Sequence, residues 1–240
     1  MPEIEKGAKK MQITYHGHAA VAITTNAGHK LLIDPFFTGN PLADISASEA
    51  QADYILITHG HSDHIGDMVA IAKRCDAMVI AMVEIAEYAT SLGVKKTHGM
   101  NLGGSFTFPF GRVKMVPAQH SSSLTIDGVA HYMGLAAGLV LTIDGQCIYH
   151  AGDTNYFSDL RLIGREHLLD VAFLPIGDNF TMGPEEALLA AADLNAQLVV
   201  PIHYNTFPVI EQDPESFAQK LPAKMGKVLQ PGESITLEKS

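Results

Sequence analysis

The run Tyr54-Ile55-Leu56-Ile57-Thr58-His59-Gly60-His61-Ser62-Asp63-His64 ends an apolar stretch in three histidines and one aspartate within six residues. In extended backbone, positions two apart point to the same side, so His59 and His61 can converge on one ion. Where the chain turns into a helix, Asp63 and His64 can swing to a neighbouring point, and Gly60 permits the sharp backbone path. One hexapeptide therefore offers donors to two adjacent metal ions. A polar surface loop uses such residues singly; four potential donors packed at one strand end point to a metal centre.

Such a centre needs more donors, and three other strand ends carry them. Val113–Pro117 is followed by Ala118-Gln119-His120-Ser121, Cys147–His150 by Ala151-Gly152-Asp153, and Leu198–Ile202 by His203-Tyr204-Asn205. Two divalent cations ~3.5–4 Å apart share a water, lower its pKa toward neutrality and clamp the attacking and leaving oxygens. Histidine and aspartate without cysteine suit zinc, and manganese, iron or nickel as well. Hydrolysis by a metal-bridging hydroxide is the default chemistry. No Gly-x-Ser-x-Gly nucleophile and no Walker-type glycine loop occurs, so covalent serine catalysis lacks a candidate.

These donors need strands and turns to aim them. Strand-like runs lie at 11–16, 19–24, 30–34, 54–58, 77–81, 105–108, 112–117, 129–143, 146–150, 170–174 and 197–202, with closing strands near 226–238. The 129–143 run is expected to bend near Gly134 or Gly138. Helices are expected near 64–74, 82–92, 156–166 and 214–221, and from Gly183-Pro184-Glu185-Glu186. There the proline suits the first helical turn and the carboxylates its positive end. The mixture lacks a strict β-α-β rhythm, which suggests an α+β fold with helices packed outside sheets. Residues 1–10 read as a flexible leader and 11–240 as a single domain.

The 240 residues are long enough to bury a core without disulfides. With 47% hydrophobic and 18% charged residues, disorder and a charge-laced coiled coil are excluded. A net charge of −10, with no basic run longer than the pairs Lys9-Lys10, Lys73-Arg74 and Lys95-Lys96, disfavours nucleic acid as a partner. Cys75 and Cys147 form no CxxC pattern, no apolar run spans a bilayer and no signal segment opens the chain. A cytoplasmic protein with a small-molecule substrate and no membrane partner is expected, and homo-oligomers are compatible with it. The unusual number is twelve histidines.

The order His59-x-His61-x-Asp63-His64, a single histidine, Gly152-Asp153 and a late histidine resembles the metallo-β-lactamase superfamily from Met11 to about Leu237. Gly17-His18-Ala19, Leu32-Ile33-Asp34-Pro35-Phe36, His150-Ala151-Gly152-Asp153-Thr154, Asp178–Gly183 and Pro201-Ile202-His203-Tyr204-Asn205-Thr206-Phe207-Pro208 narrow the resemblance. They are similar to bacterial and archaeal metal-dependent hydrolases related to the ascorbate-6-phosphate lactonase branch. The resemblance implies a four-layer αββα sandwich with the metal site at one edge of the β-sandwich. It implies that His59, His61 and His120 hold one metal, that Asp63, His64 and His203 hold a second, and that Asp153 bridges them. Asp63 and His203 are then the residues whose loss should abolish turnover, Asp63 also guiding the proton. Asp34 would steady the His-rich loop, and His18 would lie near the mouth of the site, within reach of an anionic substrate.

Tyr204 and Asn205, directly after a donor, are candidate polar contacts to substrate. Phe36, Phe37, Phe180, Met182, Tyr204 and Phe207 flank the donor loops and are candidates for either pocket wall or core. His29, His98, His131 and His167 read as ordinary surface or hydrogen-bonded residues, His16 as packed or solvent-facing and His150 as structural. The lactonase-like resemblance tilts the substrate toward a small anionic ester or lactone, with a phosphodiester also open. Three alternatives stand beside the hydrolase. They are a mononuclear iron thiol or persulfide oxygenase, a nuclease of the tRNA-processing type, and a non-catalytic metal- or ligand-binding protein.

Overall fold

The computed structural model describes residues 10–237, so the leader expected over 1–10 lies outside the described residues but for Lys10. The chain opens with an antiparallel meander, β1 (Gln12–Tyr15), β2 (Val21–Thr24) and β3 (Lys30–Ile33). It continues through β4 (Tyr54–Leu56), α1 (Ser62–Ile65), α2 (Met68–Cys75), β5 (Met78–Met82), α3 (Val83–Ser91) and β6 (Thr97–Met100). With β15 (Ser234–Thr236) these strands form a seven-stranded sheet in the order β15-β1-β2-β3-β4-β5-β6, parallel from β3 to β6.

A second sheet follows. Its strands are β7 (Ser105–Phe108), β8 (Gly111–Pro117), β11 (Ala137–Ile143), β12 (Gln146–His150), β13 (Val171–Pro175) and β14 (Leu198–Ile202). They run in the order β14-β13-β12-β11-β8-β7. A separate hairpin, β9 (Ser123–Ile126) with β10 (Val129–Tyr132), stands off it. α4 (Leu160–Glu166), α5 (Pro184–Leu194) and α6 (Pro214–Lys220) complete the chain.

Alternation along the second sheet sorts its side chains into two cores. Leu139, Leu141, Ile148, Phe173, Val200 and Ile202 pack with Leu32, Ile55 and Ile80 of the first sheet. The residues between them, Val140, Tyr149, Ala172, Leu174 and Val199, pack with Ile163, Ala187, Ala190, Ala191 and Phe217 of the helices. That is the period-2 geometry of strands covered on both faces, and it explains why Val171–Pro175 is buried at every position. Each fully buried Leu, Ile or Phe contributes roughly 1.5–3 kcal/mol. With α2 and α3 against the first sheet, the layers run helix, sheet, sheet, helix. This is the αββα sandwich implied by the sequence resemblance.

The helix expected over 64–74 is two helices. Gly66 between them takes a φ of 43°, and a Cβ there would run into the Pro35 carbonyl. The break lets the helical segment dock on the turn after β3: Asp67 donates its backbone N–H to Pro35 O at 2.9 Å. Its carboxylate accepts the N–H groups of Phe37 at 3.0 Å and Thr38 at 2.8 Å. The 129–143 run is divided at Gly134 (φ 82°), and its two halves join different sheets. β6 and β9 carry no expected strand signal, and the closing 226–238 segment forms strand only at Ser234–Thr236.

Candidate metal centre

Five strands lead into the site from their C-terminal ends: β3 into Asp34, β4 into His59, β8 into His120, β12 into Asp153 and β14 into His203. Two hydrogen bonds hold neighbouring loops in register. Ala137 N–H donates to Thr58 O at 3.0 Å, and His203 N–H donates to His18 O at 2.7 Å.

The donors fall into two groups, His59, His61, His120 and Asp153 in one and His18, Asp63, His64 and His203 in the other. All seven predicted donors are brought together, and His18 joins them. In the first group His61 Nδ1 lies 3.0 Å from His59 Nε2 and 3.2 Å from His120 Nε2. Asp153 touches both groups: its carboxylate is 3.4 Å from His120 Nε2, 3.2 Å from His64 Nε2 and 3.1 Å from His203 Nε2.

The hydrogen bonds behind the rings orient them. Asp34 is fully buried and accepts from His64 Nδ1 at 2.8 Å, leaving His64 Nε2 to face Asp153. Thr58 donates its hydroxyl to Asp34 at 2.6 Å and so accepts from His59 Nδ1 at 3.0 Å, leaving His59 Nε2 bare. His61 Nε2 lies 3.1 Å from Ser121 Oγ, so its Nδ1 is the nitrogen turned toward His59 and His120. Nitrogens of His59, His61 and His120 therefore converge on one point at about hydrogen-bond distance. Buried His64 Nε2, Asp153 Oδ1 and both ring nitrogens of His203 have no hydrogen-bond partner. Buried polar groups left this way carry a desolvation cost that a cation between them removes. The donor set fits divalent metal.

The electrostatics agree. Burial keeps His59, His61 and His120 below their ordinary values, so they are neutral donors. Burial would do the same to His64 and His203, but the Asp153 carboxylate outweighs it. His64 is held well above its ordinary value and His203 is raised to about 9. Despite burial, the charges of His203 and His64 keep Asp153 well below the carboxylate range. Asp63 is also lowered: the His18 hydrogen bond, then the nearby His203 ring, overcomes burial. The site draws positive charge into a dry pocket.

His18 is fully buried, with Nε2 3.1 Å from Asp63 Oδ2, Nδ1 2.8 Å from Thr206 Oγ1 and its ring centroid 4.0 Å from that of His203. Burial, then the charge of His203, lowers it to about 4. It sits behind Asp63 instead of at the mouth expected for it. Tyr204 and Asn205 also depart from expectation. His203 and Asn205 take φ of 56° and 59°, so the chain turns off the strand path. Tyr204 lines a small pocket with Tyr15 and Leu42, and Asn205 accepts from Gln212 N–H at 2.8 Å; neither lines the metal cavity.

The donors open into a cavity of about 670 Å³, walled also by Phe36, Phe180, Phe207 and Val209. Phe37 and Met182 are core. His150 is structural: Nε2 donates to Ala19 O at 3.0 Å and Nδ1 accepts from Gly152 N–H at 3.1 Å, bracing the turn that carries Asp153. His16 pairs with Asp44 at 2.8 Å. His29, His98, His131 and His167 take no part in either donor group. Thr58, Ser121, Thr206 and Val209 were not singled out from sequence, although Thr58 and Ser121 adjoin predicted donors.

The family profile described as "Beta-lactamase superfamily domain" matches residues 29–204. The chain belongs to this superfamily. A UPF0173 metal-dependent hydrolase from Enterococcus faecalis is 59% identical over 225 residues, 94% of this chain and 99% of the relative. One from Geobacillus thermodenitrificans is 57% identical over 95% of this chain and 100% of its own length. Among solved structures, Igni18, a novel metallo hydrolase from the hyperthermophilic archaeon Ignicoccus hospitalis KIN4/I, superposes with a TM-score of 0.86. It is 36% identical, over 97% of this chain and 100% of that one. This superfamily member thus shares full-length similarity with metal-dependent hydrolases. No helix among its described residues is long and apolar enough to cross a membrane.

Proposed function

We propose that the protein is a dinuclear metal-dependent hydrolase acting on a small ester, lactone or phosphodiester. The observation that carries this reading is the convergence of donor atoms in two adjacent groups, with His61 Nδ1 3.0 Å from His59 Nε2 and 3.2 Å from His120 Nε2 and Asp153 in reach of both groups. His59, His61 and His120 would hold one cation and Asp63, His64 and His203 the other, with Asp153 lying between the two groups. Zinc suits this set, with manganese, iron or nickel as substitutes. Two cations so held would supply a water of lowered pKa and a Lewis acid for the bond under attack.

The chain's own residues supply the rest. Asp63 has 23% of its side chain exposed against 2% for Asp153, and its depressed pKa keeps it ionised at neutral pH. As the more exposed of the two carboxylates it is placed to guide a proton in transit as the bond breaks, though so acidic a group does not store one. Its Oδ2 also lies 3.7 Å from His203 Nε2, so His203 and Asp63 act as a pair. Ser121 lines the cavity beside His61; with a cation on His61 Nδ1 its hydroxyl would accept from Nε2–H and keep its own proton for the substrate.

Metal content should be measured on wild type and Asp153→Ala, beside turnover of generic ester, lactone and phosphodiester substrates. About two metals per chain, metal loss in the variant and chelator-sensitive turnover are expected. Less than one metal under replete conditions would overturn the reading. So would turnover indifferent to Asp63→Asn and His203→Ala. Oxygen consumption by an iron-loaded sample would favour the oxygenase instead.

A further inference from the structure

Opposite the donors, the cavity wall is apolar and comes from three separate segments. Phe36 follows β3, Phe180 lies between β13 and α5, and Phe207 and Val209 follow β14. The Phe36 and Phe207 rings lie 6.4 Å apart. Phe180 is 53% and Val209 59% exposed. Single exposed apolar residues are ordinary, but these two converge with two more aromatic rings on one opening.

The Phe180 loop is held in place. Asp178 and Asn179 adopt left-handed φ of 61° and 46°, a conformation that persists only where its surroundings over-determine it. Asp178 N–H donates to Met182 O, and Met182 N–H to Thr154 O, both at 3.0 Å, tying the loop to the residue after Asp153. Val209 rides on a short 3₁₀ turn, Pro208–Ile210, anchored by fully buried Ile210.

Among the described residues, no lysine or arginine lines this cavity. A negative charge at the reacting group can be met by the metal centre, but a second one would lie against phenyl rings without a partner. The anionic handle favoured from the sequence thus lacks a counter-charge.

We infer that the substrate carries an apolar arm, of aryl or medium alkyl size, beside the bond that is hydrolysed, and no second charge beyond the reacting group. This rests on the metal-hydrolase reading above. It selects hydrophobic esters, lactones or phosphodiesters and excludes polyanionic sugar phosphates.

Alkyl hydroxamic acids test it, because their common head group chelates divalent metal while the tail varies. Affinities of aceto-, butano-, hexano-, octano- and benzohydroxamic acid for the metal-loaded protein should be measured calorimetrically, with succinic monohydroxamic acid as the charged control. Binding should tighten roughly three- to fourfold per added methylene until the wall is covered. The charged control should bind no better than acetohydroxamic acid. Phe180→Ala and Val209→Ser, both at exposed positions, should flatten the series. Affinities independent of tail length, or a preference for the terminal carboxylate, would overturn the inference. Flat affinities with ester, lactone or phosphodiester turnover would sink the apolar arm alone. A steep series without turnover would sink the hydrolase reading alone. No binding of any hydroxamate would remove the metal centre, and both readings with it.

Discussion

Asp34 Oδ2 lies 2.8 Å from His64 Nδ1 and 2.6 Å from the Thr58 hydroxyl, which in turn is 3.0 Å from His59 Nδ1. One fully buried carboxylate therefore sets the tautomer of a histidine in each donor group. It also accepts the Thr58 backbone N–H at 2.9 Å through its other oxygen, so the strand end that launches the His-rich loop is pinned to it. Partners behind metal-binding histidines fix ring orientation and raise donor basicity in this way.

Asp34→Asn should therefore weaken both halves of the site, although Asp34 is not itself one of the seven donors. An amide can turn its N–H toward His64 Nδ1 and favour the wrong tautomer. Metal affinity should fall by about 10- to 100-fold, as losses of such partners do. Competition with a chromophoric chelator measures it. Unchanged affinity at both sites would show that Asp34 is only packing.

Gly66→Ala should act on the same network from the other side. A Cβ at this position meets the Pro35 carbonyl, and a φ of 43° is unfavourable for alanine. The turn that holds Asp34 must shift or the helix break must rebuild. A cost of roughly 1–3 kcal/mol is expected, with a parallel drop in metal affinity. Denaturant melts with and without metal separate the two effects, and a stability loss without a metal effect would sever Gly66 from the site.

The donors were legible in sequence because each follows an apolar strand, and His59 to His64 are close enough to be read together. The grouping of the seven rested on family resemblance, since sequence spacing does not say which loops meet. His18 was misplaced because its pairing with Asp63 is a contact between distant loops with no periodic signal. Tyr204 and Asn205 were misread because backbone in the left-handed region at His203 and Asn205 leaves no trace in alternation. The helix break at Gly66 was hidden inside a continuous helical pattern. The β9–β10 hairpin is largely solvent-facing, so it lacks the alternation that marks a half-buried strand.

Cys147 offers a test of packing remote from the site. Burial, then the Asp170 charge, pushes its thiol up to about 11. A raised pKa means less thiolate, the reactive species, at any pH below that value. In a Cys75→Ser background at pH 8, iodoacetamide should react on the order of 100-fold more slowly than with the urea-unfolded chain. The folded rate should climb about tenfold per pH unit from 8 to 10. Folded and unfolded rates within about threefold of each other would contradict the burial of this strand.

Metal removal should be felt in stability as well as turnover. Without cations, nitrogens of His59, His61 and His120 are crowded at 3.0–3.2 Å, and four buried polar atoms of His64, Asp153 and His203 lack hydrogen-bond partners. A metal bound only by the folded chain at about 1,000 times its Kd stabilises by about 4 kcal/mol. For a chain of this size that corresponds to a Tm shift on the order of 10 °C. Chelator treatment should lower Tm by that amount, and zinc or manganese should restore it. Asp153→Ala should shrink the difference more than loss of a donor from one group, because Asp153 contacts both. A Tm indifferent to chelation, in protein verified free of metal, would mean that the clustered donors do not couple metal to folding.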